Sequence, residues 1–263
     1  VRVALRLTSG NQFGMDSENL KRAVAEKGSY EGVDIVAIHY YSGTQKKKLA
    51  VVEKELAELE ELADILEERF GLSGISLEYG PGLPADYFGD DPEGRDMAVL
   101  AEAGAMIAAV AARRSVTVEF GRFLASPCGT YLTSAADIKN NNGENFVICD
   151  GGINHLKYYG QTMAMQTPPI TLLGDHGEKT EDYTLCGSLC TTADILVRKV
   201  TLPALSVGDV LAFGRCGAYS VTEGIGLFLS RQLPRIVLHS ERGGNRLLRD
   251  FYGTDILNSP AEV

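Results

Sequence analysis

The run Val33-Asp34-Ile35-Val36-Ala37-Ile38-His39-Tyr40 constrains the fold most. It is nearly all apolar, the pattern of a strand buried on both faces in a parallel sheet. Parallel strands need a long crossover, and one follows. After Ser42-Gly43-Thr44-Gln45, the residues Leu49, Val52, Leu56, Leu59, Ala63, Leu66 and Phe70 recur three or four apart and form one apolar stripe. The stripe lasts only about three heptads, so an outer helix packed on a sheet is expected rather than a coiled coil. Gly71 ends it.

The same alternation extends in both directions. Upstream, Val1–Leu7 alternates as a strand, and Ser17 is expected to cap a helix to about Glu26. Lys46–Lys48 are expected to start the striped helix, and downstream come a strand at Ile75–Tyr79, the loop Gly80-Pro81-Gly82, a helix from about Met97 to Arg113 and a strand ending at Glu119. The order β-α-β-α-β-α-β predicts parallel strands with right-handed crossovers. Past residue 126 the pattern changes. Strand-like pieces at Gly129–Lys139, Phe146–Cys149, Asp194–Thr201, Val210–Phe213 and Arg235–Leu238 are separated by Gly, Pro and Asn turns such as Asn140-Asn141-Asn142-Gly143. The boundary is expected between residues 123 and 130, giving an α/β domain over 1–125 and a mostly β domain, sandwich-like or Greek-key-like, over 126–263.

The bulk numbers exclude some partners. A net charge of −10 over 263 residues argues against nucleic acid and against an anionic membrane surface. The most apolar stretch, Met97–Ala112, contains Glu102 and ends in Arg113-Arg114, so no membrane span is expected. No signal-peptide pattern opens the chain. Five irregularly spaced cysteines are expected to be reduced thiols in the cytoplasm. Cys186 and Cys190 lie four apart, but no second Cys/His pair has ligand spacing, so no metal is expected.

In parallel α/β folds ligands bind at the C-terminal strand ends. Those ends deliver His39–Thr44, then Gly80-Pro81-Gly82, then Glu119-Phe120-Gly121-Arg122. Gly80 and Gly82 permit close backbone approach to an anion, and Glu119 with Arg122 is either an ion pair or two halves of a binding site. In the β half, Asp150–His155, Cys186–Asp194 and Gly217-Ala218-Tyr219 stand out.

The order of these motifs resembles the pyridoxal-phosphate-dependent decarboxylases of the alanine-racemase-like barrel fold, the group of diaminopimelate, ornithine and arginine decarboxylases. Leu5-Arg6-Leu7, His39–Gln45, Gly80–Gly82, Glu119–Arg122, Asp150–Asn154, Cys190–Asp194 and Gly217–Tyr219 match its landmarks across essentially the whole chain. The resemblance implies the second half of a (β/α)8 TIM-type barrel, then the β domain. It implies pyridoxal 5'-phosphate held by Tyr41, Thr44, Gly80, Gly82, Glu119, Arg122 and Tyr219, with Glu119 at the pyridine nitrogen. It implies Cys190 as the catalytic thiol, Thr191 and Asp194 as substrate contacts, and a homodimer with shared active sites.

Departures from the family pattern narrow the substrate. Tyr41 stands where a ring-stacking His is usual, Pro81 replaces a glycine and removes an N–H, and Phe120 replaces a common proline. Thr191 stands where the family carries an acid that meets the distal amino group of basic substrates, and a hydroxyl offers no such charge-assisted bond. This turns the expectation toward aminoacyl groups tethered to an acyl carrier protein, as in secondary-metabolite relatives. Diaminopimelate or another basic amino acid, and a non-catalytic homologue that binds a partner, remain alternatives. A racemase is disfavoured by Glu119 and the cysteine motif.

A complete barrel needs eight strands and about 250 residues. The alternation gives four strands before residue 122, starting at Val1 inside a strand. The family's Schiff-base lysine lies before the strand at Leu5–Leu7, and Lys46–Lys48, Lys139, Lys157 and Lys199 match no such position. The front half of the barrel is therefore expected to precede Val1 or to be another polypeptide, and this chain alone is not expected to be catalytic.

Overall fold

The computed structural model describes residues 1–260. Two compact units are present, one of Val1–Asp86 and Asp90–Leu124, the other of Tyr87–Gly89 and the residues from Ala125 onward.

The first unit is built on four parallel strands, β1 (Arg2–Leu7), β2 (Asp34–Tyr41), β3 (Ser76–Gly80) and β4 (Val116–Val118), hydrogen-bonded in chain order. Helices α1 (Ser17–Ala25), α2 (Ala50–Phe70) and α3 (Pro92–Ala111) alternate with them. Leu20 and Val24 of α1, Val52, Leu56, Leu59, Ala63 and Leu66 of α2, and Ile38, Leu77 and Tyr79 of the sheet share one core. The stripe on α2 is the expected one, and Gly71 closes the helix at φ 63°.

Polar caps move the helix ends away from where apolar spacing put them. Asp16, not Ser17, caps α1: its Oδ1 accepts from the Asn19 amide at 2.8 Å, and that bond holds its carboxyl below the usual range. α3 starts before Met97, with Asp91 accepting from the Gly94 amide at 3.0 Å and Pro92 in the first turn. Lys46–Lys48 do not start a helix; they lie in the loop before Ala50.

Only one face of β2 is packed on the helices. On the other, register places Arg6, His39, Glu78 and Thr117 in one row across the four strands. These side chains are polar and none is buried. Ala37 and Ile38, neighbours on opposite faces of β2, are both buried, and the polar row crosses the sheet beyond them at His39.

In the second unit a six-stranded sheet has the order β7-β10-β5-β6-β8-β9, formed by β5 (Tyr131–Asn141), β6 (Glu144–Cys149), β7 (Ile170–Leu173), β8 (Thr180–Cys186), β9 (Ile195–Pro203) and β10 (Val210–Phe213). Its pairs are antiparallel except β6 with β8. The β5–β6 hairpin turns on Asn142 at φ 54° and Gly143 at φ 88°, the double positive φ of a type I′ turn. A separate hairpin pairs β11 (Ile236–Ser240) with β12 (Gly244–Arg249). β7, β8 and β12 carry no clear sequence signal. β8 is acidic at its start, and pairing on both sides makes it a strand.

Candidate functional site

Two loops interlock at the C-terminal ends of β2 and β3. Gly82 has φ +62°, and a Cβ there would lie 1.9 Å from the Gly43 carbonyl oxygen. At Gly80 a Cβ would meet the Tyr41 ring at 2.7 Å. The Tyr41 ring therefore lies against Gly80, and at Gly82 the close approach is to backbone, which cannot rotate away. The Lys46 amide donates to the Gly82 carbonyl at 3.0 Å. Gln45 sits at φ 57°, a region costly for a residue with a Cβ. Its side chain fastens it there, donating to the Ala85 carbonyl at 3.1 Å and accepting from the Ala85 amide at 2.7 Å.

Among the described residues the amide N–H groups of Thr44 and Gly82 have no acceptor. Half-buried unpaired donors at the mouth of a parallel sheet are suited to an anion. Pro81 between them contributes none.

Glu119 follows β4, its amide bonded to the Tyr79 carbonyl at 2.9 Å. Its carboxylate is half-exposed and meets His39 Nε2 through Oε2 at 3.0 Å. The second oxygen has no partner among the described residues. Arg122, read from the sequence as the possible partner of Glu119, is buried at the start of a short helix, α4 (Arg122–Ala125). Tyr41, Thr44, Gly80, Gly82, Glu119 and Arg122 all belong to the first unit.

Cys190, Thr191, Asp194 and Tyr219 belong to the second. Cys190 is exposed in the loop between β8 and β9. The Thr191 hydroxyl accepts from the Ala193 amide at 3.2 Å. Asp194 is 3% exposed, with Oδ1 accepting from the Ile153 amide at 2.9 Å and Oδ2 from the Leu189 amide at 2.8 Å. Both oxygens point into the loop they hold, so Asp194 organises the segment that carries Cys190 and Thr191. Gly187 and Gly152 are glycines because a Cβ would lie 2.2 and 2.3 Å from that carboxylate. Tyr219 is exposed at φ 62°. Gly217 before it is packed so that a Cβ would lie 2.0 Å from the Ala125 carbonyl oxygen.

Two further features of the second unit emerge only from its tertiary contacts. One is a cavity of about 380 Å³ with apolar walls from Ile153, Leu156, Leu196 and Ile225, joined by Lys157 and Arg198. The other is a polar chain through His155. Its Nδ1 faces the Tyr131 hydroxyl at 3.0 Å and its Nε2 the Gln232 carbonyl at 2.7 Å, so Nε2 carries the proton and Nδ1 accepts. Burial pushes the His155 pKa below its ordinary 6.5, opposed by the bond to Gln232. The neutral ring is the folded form. Its stabilisation is complete above 6.5 and is lost as pH falls from there through the folded value. A His155→Gln variant is expected to show a flatter dependence of Tm on pH across that window, measured by thermal melts in matched buffers.

Residues 39–217 match the family described as pyridoxal-dependent decarboxylase, C-terminal sheet domain. The chain belongs to this family. It is 28% identical over 249 residues to the L-glutamyl-[BtrI acyl-carrier protein] decarboxylase of Niallia circulans, covering 90% of this chain and 58% of that protein. It is 29% identical over 213 residues to the diaminopimelate decarboxylase of Archaeoglobus fulgidus, covering 80% of this chain and 50% of that protein. The crystal structure of the Methanocaldococcus jannaschii diaminopimelate decarboxylase with L-lysine superposes with a TM-score of 0.81 at 24% identity, covering 100% of this chain and 64% of that one. The chain thus spans between half and three fifths of the length of these two curated relatives. The fold is that of a partial (β/α)8 barrel followed by a β domain.

The family's cofactor is pyridoxal phosphate. The first unit fits it on two counts. The unpaired amides of Thr44 and Gly82 suit a phosphate, and the open oxygen of Glu119 suits a protonated ring nitrogen. Among the described residues no cluster of three or more His, Cys, Asp or Glu side chains is placed to hold a metal, and no helix is long and apolar enough to cross a membrane.

Proposed function

We propose that this chain is the cofactor-tuning and substrate-recognising part of a decarboxylase acting on an aminoacyl group tethered to an acyl carrier protein. The observation that carries the reading is the half-exposed Glu119 carboxylate beside the interlocked, donor-bearing loops. Pyridoxal phosphate supplies an electron sink for the charge left on the substrate carbon when carbon dioxide departs. Glu119 holds a proton at the pyridine nitrogen. His39, hydrogen-bonded to Glu119, fixes the carboxylate's direction. The Thr44 and Gly82 amides, with Gly80, hold the phosphate, and Tyr41 offers an aromatic face to the ring. Arg122 and Tyr219 meet phosphate or substrate carboxylate. Cys190 delivers a proton to the substrate carbon in a site shared with a second subunit, and its exposure supports that role.

The lysine that carries the cofactor is proposed to come from polypeptide outside these residues. Support comes from the sheet edges: β1 pairs only with β2 and β4 only with β3 among the described strands. The β11–β12 hairpin also exposes Val237, Leu238, Leu247 and Leu248, and an isolated two-stranded hairpin is marginal in water. Both features suit burial against the front of the barrel and a partner subunit. In this reading the chain by itself is inactive, and it acts in the cytoplasm.

The substrate proposal rests on Thr191, whose hydroxyl suits a neutral distal group better than an ammonium. It accords with the Niallia relative, whose substrate is carrier-linked. Carbon dioxide release by the intact protein is expected to be faster from carrier-tethered glutamyl or related aminoacyl groups than from free amino acids. Strong turnover of free diaminopimelate would favour the diaminopimelate relatives' reaction instead. Absence of release from either, together with no bound cofactor, would mark a non-catalytic homologue.

A further inference from the structure

α2 carries one buried carboxylate. Glu55 is 6% exposed, on the face turned toward the strand-end loops. Three side chains converge on it. The Ser42 hydroxyl donates to Oε1 at 2.5 Å, and the Lys46 ammonium and the Tyr79 hydroxyl each donate to Oε2 at 2.6 Å. The Lys46 ammonium also lies 5.7 Å from the centroid of the Tyr79 ring.

The positions of the three donors give the cluster its meaning. Ser42 and Lys46 flank Gly43-Thr44-Gln45, and Tyr79 immediately precedes Gly80-Pro81-Gly82. One carboxylate therefore anchors both ends of one loop and the base of the other. The loops are tied to each other independently, through Lys46 amide to Gly82 carbonyl and Gln45 to Ala85. A buried acid on an outer helix is expensive unless fully paired, and here four groups share the cost of desolvation. Of the four, only the Tyr79 ring belongs to the core packed on α2; the carboxylate, the ammonium and the two hydroxyls add nothing to the apolar packing that Leu56, Leu59 and Leu66 provide.

We propose that Glu55 is a positioning residue that pre-forms the pair of loops holding the cofactor phosphate. It touches neither cofactor nor substrate. It acts by fixing Ser42, Lys46 and Tyr79, so that the Thr44 and Gly82 amides point outward before the anion arrives. The cofactor part of this inference rests on the proposed function; the loop part stands on the fold alone.

The experiment compares the intact wild-type protein with Glu55→Gln, Tyr79→Phe and the double variant Lys46→Met/Glu55→Gln, in which no buried charge is left uncompensated. In the cofactor-free proteins, hydrogen exchange is read at the Lys46 and Ala85 amides, which the loop–loop bonds protect. Titration with pyridoxal phosphate and with inorganic phosphate gives affinities, and melts give Tm. Glu55→Gln is expected to speed exchange at both amides by about tenfold or more and to weaken both ligands by a similar factor. Exchange in β2 at Ile35–Ile38 is expected to stay unchanged. Tyr79→Phe, which removes one anchor without a charge, should show the same changes at a few-fold level. The double variant is expected to regain Tm but not affinity or protection. If affinity and protection return with Tm, or if Glu55→Gln leaves them at wild-type values, the positioning role is overturned. A wild-type protein that binds no pyridoxal phosphate, with loop exchange still dependent on Glu55, would defeat the proposed function and leave the loop clamp standing.

Discussion

Glu119→Gln in the intact protein is expected to lower decarboxylation by about 100-fold while the folded state is nearly untouched. The substitution keeps size and shape and removes the charge. A carboxylate favours a proton on a facing ring nitrogen, and a neutral amide does not, so electron withdrawal from the substrate carbon falls. The stability cost is small because the side chain is half-exposed and its recorded contact is the one bond to His39. An exposed pair of this kind is worth at most about 1 kcal/mol. Turnover with saturating cofactor, alongside Tm, checks both halves. Unchanged turnover would remove Glu119 from the pyridine nitrogen; a collapse of Tm would make the residue structural.

Gly82→Ala is expected to be the most disruptive single methyl group in the first unit's strand-end loops. Two penalties coincide. The backbone sits at φ +62°, which a Cβ disfavours by about 1–2 kcal/mol, and the new atom would lie 1.9 Å from the Gly43 carbonyl oxygen. That neighbour is backbone and cannot rotate away, so the loops must separate, for a total near ~3 kcal/mol. Separation breaks the Lys46–Gly82 bond and misplaces the Thr44 amide, so phosphate affinity should fall with stability. Gly71→Ala isolates the first penalty: φ is +63° and nothing lies within 4 Å of its Cβ position. Urea midpoints should show Gly71→Ala costing about 1 kcal/mol and Gly82→Ala clearly more. Equal losses would show that the approach to Gly43 is relieved at no cost.

The parallel sheet was legible because its signals are local. Val33–Tyr40 is a strand by composition, the stripe from Val52 to Leu66 is a helix by spacing, and Gly71 stops it. Gly80, Gly82 and Glu119 could be singled out because strand ends of such folds are where ligands bind. Asp91 and Asp16 were harder to place as caps, since each acts through one hydrogen bond three residues away rather than through a pattern. β7 and β8 stayed hidden because they are strands through their neighbours in the sheet.

The sequence by itself determined the alternation, the switch from α/β to β, and which residue types stand at the strand ends, because helix stripes, strand patterns and turn glycines are decided within a few residues. Only the tertiary structure decided who meets whom. It paired Glu119 with His39 across 80 residues of chain, seated Gly82 on Gly43, turned Asp194 inward onto the Ile153 and Leu189 amides, and gathered Ser42, Lys46 and Tyr79 onto Glu55. These contacts depend on strand register and on which face of a helix meets the sheet, and both are settled when the core packs, not by any short stretch of chain.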